Sequence, residues 1–283
     1  MAAEDDLASI RSVRASHEAD FRPRSARALA RWPVRVSEQR IAGVSCQIVE
    51  PVDTPVGAGG GPTILYFFGG GYGSGSPDYD LAITAPLAVL SGCRIVAPRY
   101  ALAPENPLPA GLDQCTGVYA ALGKDGPLCL SGESAGGGMA MSVTRAAGDA
   151  GLPAPLRLAL FSPWVDLREA ATASCEGVDD PTMTGEDLCL FARAYLGDAP
   201  TTDPRASPAL GTFAAEWPPT LLTTGSRDRL GPMVRALAGR LPTARLIDRA
   251  GMWHVFELYD ECPEALETLE AAAAFLAEGF ARV

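Results

Sequence analysis

Histidine is nearly absent from this chain, with two in 283 residues, His17 and His254. A zinc site needs clustered His and Cys ligands, and nothing here is spaced for one, so neither a metal nor a cofactor is expected. The seven cysteines are odd in number and form no C-x-x-C pair. That argues for reduced thiols and against a disulfide framework. Basic residues are in deficit, 23 against 34 acidic, for a net charge of −11. Binding a phosphate backbone takes a basic footprint, so no nucleic-acid partner is expected, and anionic membranes should repel the chain. No apolar run reaches the ~18 residues of a membrane-spanning helix. The opening MAAEDDLASIRS lacks the basic-then-apolar order of a signal peptide. A cytoplasmic protein without membrane insertion is the expectation. Internal repeats and low-complexity tracts are also missing.

What is present is a rhythm. Residues 4–32 have mixed helical spacing at Leu7, Ile10, Arg14 and His17; in this helix His17 is expected to be solvated or to pack within a cap. VRVSEQRI and VSCQIVEP, on either side of Gly43, read as two antiparallel edge strands. The GAGGG of residues 57–61 reads as a flexible turn. Six short apolar runs follow: TILYFF from Thr63, CRIVAP from Cys93, PLCLSG from Pro127, LRLALFSP from Leu156, TLLTTG from Thr220 and ARLID from Ala244. Such runs suit strands buried on both faces of a parallel sheet. Helical segments fall between them, near 80–91, 110–123, 135–149, 229–240 and 263–280. Alternating β and α elements predict a mostly parallel, eight-stranded sheet covered by helices. The stretch 166–215 breaks the alternation with Asp, Pro and Thr and one helix near 186–196. The expected organisation is an N-terminal cap segment at 1–32, a core at 33–165 and 216–283, and a cap insertion at 166–215.

The chemistry concentrates in PLCLSGESAGGG. An apolar strand runs into Gly132-Glu133-Ser134-Ala135-Gly136 and then a helix of small residues. This is G-x-S-x-G in its required context of strand, sharp turn and helix. The turn would expose the Ser134 hydroxyl and aim the Ala135 N–H at a developing oxyanion. A serine needs a base and an orienting acid. His254 follows the strand ARLID, and Asp228 follows TLLTTG. All three lie beyond carboxyl ends of strands, where open α/β sheets place their sites, and their chain order is Ser, Asp, His. Asp248 is the rival acid. Gly69, Gly70 and Gly71 follow TILYFF, and their backbone N–H groups could face an oxyanion.

These features, with RYALAPENPLPA at 99–110 and SPWVDL at 162–167, resemble the hormone-sensitive-lipase-like esterases of the α/β-hydrolase superfamily. The resemblance covers about residues 60–260 and implies an α/β-hydrolase fold with a helical cap. It implies Ser134 as nucleophile, His254 as base, Asp228 as orienting acid, and Gly70, Gly71 and Ala135 as the oxyanion hole. It implies hydrolysis of short- to medium-chain carboxylic esters of small-molecule type without a cofactor, and it allows a homodimer. The same residues could serve an amide, lactone, thioester or specialised acyl substrate, and a ligand-binding protein on a hydrolase fold is a further alternative. One departure stands out. The family's glycine loop usually begins with histidine, and here that position is Phe68. Phe68 and Tyr72 are therefore candidate pocket residues, and Phe68→His is expected to be tolerated and to shift relative rates between esters.

Overall fold

The computed structural model describes residues 4–53, 61–168 and 173–281. Most of the GAGGG turn, at 57–60, lies outside them. Among them one eight-stranded sheet runs β1 (Val34–Ile41), β2 (Val44–Pro51), β4 (Arg94–Pro98), β3 (Thr63–Phe67), β5 (Leu128–Glu133), β6 (Leu158–Phe161), β7 (Thr220–Gly225), β8 (Ala244–Arg249) in spatial order. β1 pairs antiparallel with β2, and β2 antiparallel with β4; every other pairing is parallel. Among the described residues seven α-helices accompany it: α1 (Glu4–Arg31), α2 (Leu81–Ser91), α3 (Ala110–Leu122), α4 (Ala135–Asp149), α5 (Gly185–Leu196), α6 (Gly231–Ala238) and α7 (Pro263–Phe280). This is the α/β-hydrolase arrangement.

The central strands are continuous apolar runs because both faces are covered. Every residue of β3, β5, β6 and β7 is buried. Two strand expectations need correction. Only β1 of the N-terminal pair is an edge; β2 lies inside the sheet because its far side bonds β4. β8 was expected to be buried on both faces, but it is the opposite edge, with Arg245 and Leu246 exposed. Its run ARLID carries two charges in five residues, which suits a strand with solvent on one side.

The fold gathers chemistry at one end. The carboxyl ends of β3, β5, β7 and β8 lead into the segments holding Gly69–Gly71, Ser134, Asp228 and His254. Helix α1 and the turn and helix at 181–191 border the cavity over that end. No described helix is long and apolar enough to cross a membrane.

Candidate active site

Ser134 is the single residue between β5 and α4. Its backbone sits at φ 51°, ψ −121°, a region that costs a non-glycine residue energy and persists only when its surroundings enforce it. The enforcement is visible. The Ser134 N–H donates to the Phe161 carbonyl at 2.9 Å, and its carbonyl accepts from Trp164 N–H at 2.8 Å and Gly138 N–H at 3.2 Å. The turn is also tight against β3. A Cβ on Gly136 would stand 2.0 Å from the Phe67 carbonyl oxygen, so only glycine fits there. Ala135 opens α4, where first-turn N–H groups have no partner within the helix.

Asp228 and His254 meet beyond β7 and β8. His254 Nδ1 lies 2.9 Å from Asp228 Oδ1. That oxygen also accepts from Leu230 N–H at 2.9 Å, while Oδ2 accepts from the Thr224 hydroxyl at 2.7 Å. Asp228 is 1 % exposed. Burial alone would raise its pKa, but the facing imidazole and bonds from His254, Thr224 and Ser162 hold it below the ordinary carboxylate value. His254 feels the mirror effect. Burial pushes it down, and the Asp228 charge and hydrogen bond outweigh that, so the ring is more basic than a free histidine. Its Nε2 is buried and has no hydrogen-bond partner among the described residues. The rival acid Asp248 is elsewhere, paired with Arg235 at 2.7 Å. Ser162, at φ 45°, accepts from the Val255 N–H at 3.2 Å and so anchors the residue after the histidine.

The glycine loop turns sharply after β3. Gly70 and Gly71 have φ of 98° and 65°, and a Cβ on Gly70 would lie 2.6 Å from the Ser74 carbonyl. Gly69, Gly70, Gly71, Ser134 and His254 border one cavity of about 370 Å³. Phe68 and Tyr72 do not, which corrects their assignment to the pocket. Phe68 is 2 % exposed and stacked on Tyr100; Tyr72 is equally buried, stacked on Tyr195, with its hydroxyl donating to the Trp164 carbonyl. Both aromatics prop the loop from beneath. The cavity's apolar walls come instead from Val13, Phe21, Met183, Leu188, Phe191 and Leu258. Trp253 is half-buried and edge-on to Tyr259.

Among the lining residues that escaped the sequence reading are His17, Asp80 and Glu133. Glu133 gave a signal, a carboxyl inside an otherwise apolar strand end. It is buried and bonded by the Gly69 N–H, and burial, with Asp80 and Glu257 nearby, holds it well above the usual range. Asp80 takes a hydrogen bond from the Tyr66 hydroxyl at 2.8 Å, and burial pushes it up to about 7. His17 gave no signal, because nothing in the sequence lays α1 across the glycine loop.

A serine on a strained strand-to-helix turn, an Asp–His pair and a glycine loop, gathered on a mostly parallel sheet, are the parts expected of an α/β hydrolase. Comparison with known proteins agrees. Residues 64–258 match the α/β hydrolase fold family. The chain is 33 % identical to an acetyl-hydrolase of Streptomyces hygroscopicus over 76 % of its own length and 75 % of that protein's. It is 30 % identical to a versiconal hemiacetal acetate esterase of Emericella nidulans, covering 74 % and 76 %. A crystal structure of a hormone-sensitive lipase from a metagenome library superimposes with a TM-score of 0.80 at 28 % identity, over 92 % and 91 % of the chains. The chain belongs to the hormone-sensitive-lipase-like esterases of the α/β-hydrolase family and is a carboxylic ester hydrolase.

Proposed function

We propose that the protein is a serine carboxylesterase that removes short acyl groups, acetyl foremost, through an acyl-enzyme on Ser134. The observation that carries this reading is the Asp228–His254 pair at 2.9 Å, whose buried Nε2 is left unpartnered beside the cavity that Ser134 borders. In the first step His254 Nε2 takes the Ser134 hydroxyl proton as the oxygen attacks the ester carbonyl. Asp228 keeps the other ring nitrogen protonated and stabilises the imidazolium. The N–H groups of Gly70, Gly71 and Ala135 receive the oxyanion, a task for which each donor is worth about 2.7–4 kcal/mol in known cases. The alcohol leaves with the proton held by His254, and water repeats the sequence to release the acid.

Helix α1 and residues 166–215 act as the cap over this centre. Two relatives named for acetyl or acetate esters support a short acyl group, as does a cavity of about 370 Å³ lined in part by Phe191. The test is hydrolysis of a p-nitrophenyl ester series from acetate to dodecanoate, with Ser134→Ala as control. Turnover should be greatest at the short end and vanish in the variant. Turnover that survives Ser134→Ala, or a wild type inert toward the whole series, overturns the reading.

A further inference from the structure

The glycine loop of this chain starts at Phe68, which has no polar group to hold it, and the structure shows what holds it instead. Two side chains of α1, three residues apart and thus on one helix face, reach the loop just beyond its oxyanion-facing glycines. Arg14 Nε donates to the Gly73 carbonyl at 2.8 Å, and its Nη2 donates to the Ala103 carbonyl at 2.8 Å. The guanidinium is itself fixed by Glu105, at 2.8 and 2.7 Å. One turn along, His17 Nδ1 lies 3.0 Å from the Ser74 hydroxyl. Ser74 is fully buried, and its own N–H donates to the Gly70 carbonyl at 2.8 Å; Gly73 N–H donates to the same oxygen at 3.2 Å. Both helix contacts therefore end, through one residue each, on the carbonyl of Gly70. A peptide unit pinned at its carbonyl keeps its plane, and with it the direction of the neighbouring N–H.

We infer that Arg14 and His17 are positioning residues for the oxyanion hole: α1 sets the direction of the Gly71 N–H by holding Gly73 and Ser74, whose own N–H groups pin the carbonyl of the same peptide unit. This rests on the esterase reading above. His17 also borders the cavity, edge-on to Phe21 at 5.5 Å between centroids, so a substrate-contact role is the rival that the test must separate. The two roles differ in kinetics. Misaimed oxyanion donors weaken only transition-state binding and lower kcat. Loss of a substrate contact felt equally in ground and transition states raises KM.

The experiment measures kcat and KM on p-nitrophenyl acetate for wild type, His17→Leu, Ser74→Ala, the double variant, His17→Asn and Arg14→Met. Ser134→Ala is carried alongside, and each variant's Tm is recorded. His17→Leu and Ser74→Ala should each lower kcat about tenfold with KM within about twofold, since small misplacements of a catalytic group cost that much or more. The double variant should be no worse than either single one, because both remove the same bond. His17→Asn should recover most of kcat, since its amide can occupy the position of Nδ1. Arg14→Met should follow the same pattern and weaken a trifluoromethyl ketone, which forms a tetrahedral adduct, by the factor lost in kcat/KM. A rise in KM at constant kcat overturns the inference in favour of a substrate contact. Additive losses, or a lowered Tm with kcat unchanged, overturn it in favour of mere packing. A wild type without turnover removes the esterase reading and this inference together; full wild-type turnover with unresponsive variants removes only this inference.

Discussion

The ring of Phe68 lies flat on that of Tyr100, 4.2 Å between centroids and 11° between planes, and the Tyr100 hydroxyl donates to the Phe68 carbonyl at 2.6 Å. The aromatic at the head of the glycine loop is thus a structural prop. Phe68→His places a polar ring in an apolar slot and should cost about 1–3 kcal/mol of stability. The ratio of acetate to octanoate hydrolysis should stay that of the wild type, because the side chain does not border the cavity. Thermal denaturation together with that ratio checks both halves, and a changed ratio at unchanged Tm would return Phe68 to the pocket.

Acid inactivation should begin above the ordinary histidine value. Burial depresses the His254 pKa, but Asp228 overcomes this and the net shift is upward. The base works only when neutral, so kcat/KM should fall as pH drops through a midpoint above 6.5. Asp228→Asn removes the raising partner and leaves the burial. Its midpoint should move to lower pH while kcat falls by about 10⁴, the loss seen when other triads lose their acid. A pH–rate profile of both proteins decides the matter.

Glu257 predicts a pH-dependent stability. It is 1 % exposed, takes a hydrogen bond from the Thr223 hydroxyl, and is pushed by burial from 4.5 to about 7. Between those values the folded chain holds a proton that the unfolded chain has released. Stability from this group is therefore full below about 4.5 and is lost as pH rises through about 7. Glu257→Gln cannot ionise. Its Tm should fall less than that of wild type between pH 5 and pH 8. Equal drops in the two proteins would contradict the assignment.

Phe191 lines the cavity against the glycine loop. It stands so close to the loop that a Cβ on Gly71 would lie 2.5 Å from its ring. Phe191→Ala should move the preferred acyl chain to longer esters in the p-nitrophenyl series and raise the octanoate-to-acetate ratio at least about fivefold, since each accommodated methylene is worth ~0.8 kcal/mol. A ratio that stays put would mean the acyl chain runs along another wall.

The sheet and the residues at its carboxyl end were legible because their signals are local. Leu128–Leu130 is apolar, Gly132 and Gly136 flank a serine, and Asp228 and His254 each trail a short strand. The helices fall within two residues of their expected bounds for the same reason: Ala135–Asp149 and Pro263–Phe280 follow periodic apolar faces. What failed was everything decided by packing between distant segments. ARLID takes its turn in the same βα rhythm as TLLTTG; its two charges were the one local hint of an edge, and the strand order decides it. Phe68 and Tyr72 sit beside the catalytic glycines in the chain, yet their rings turn into the core, onto Tyr100 and Tyr195. The bond of His17 to the glycine loop was illegible because its partner Ser74 is 57 residues away.

Helix α1 holds both shores of the site. Besides its grip on the glycine loop, it is tied to the segment after His254 by Arg24 to Glu261 at 2.5 Å and by Arg27 to Asp260 at 2.5 Å, spans of 237 and 233 residues. Seating of α1 therefore draws on contacts far apart in sequence, at 73–105 and at 260–261. Hydrolytic activity in a refolding chain would accordingly register completed tertiary packing around that helix.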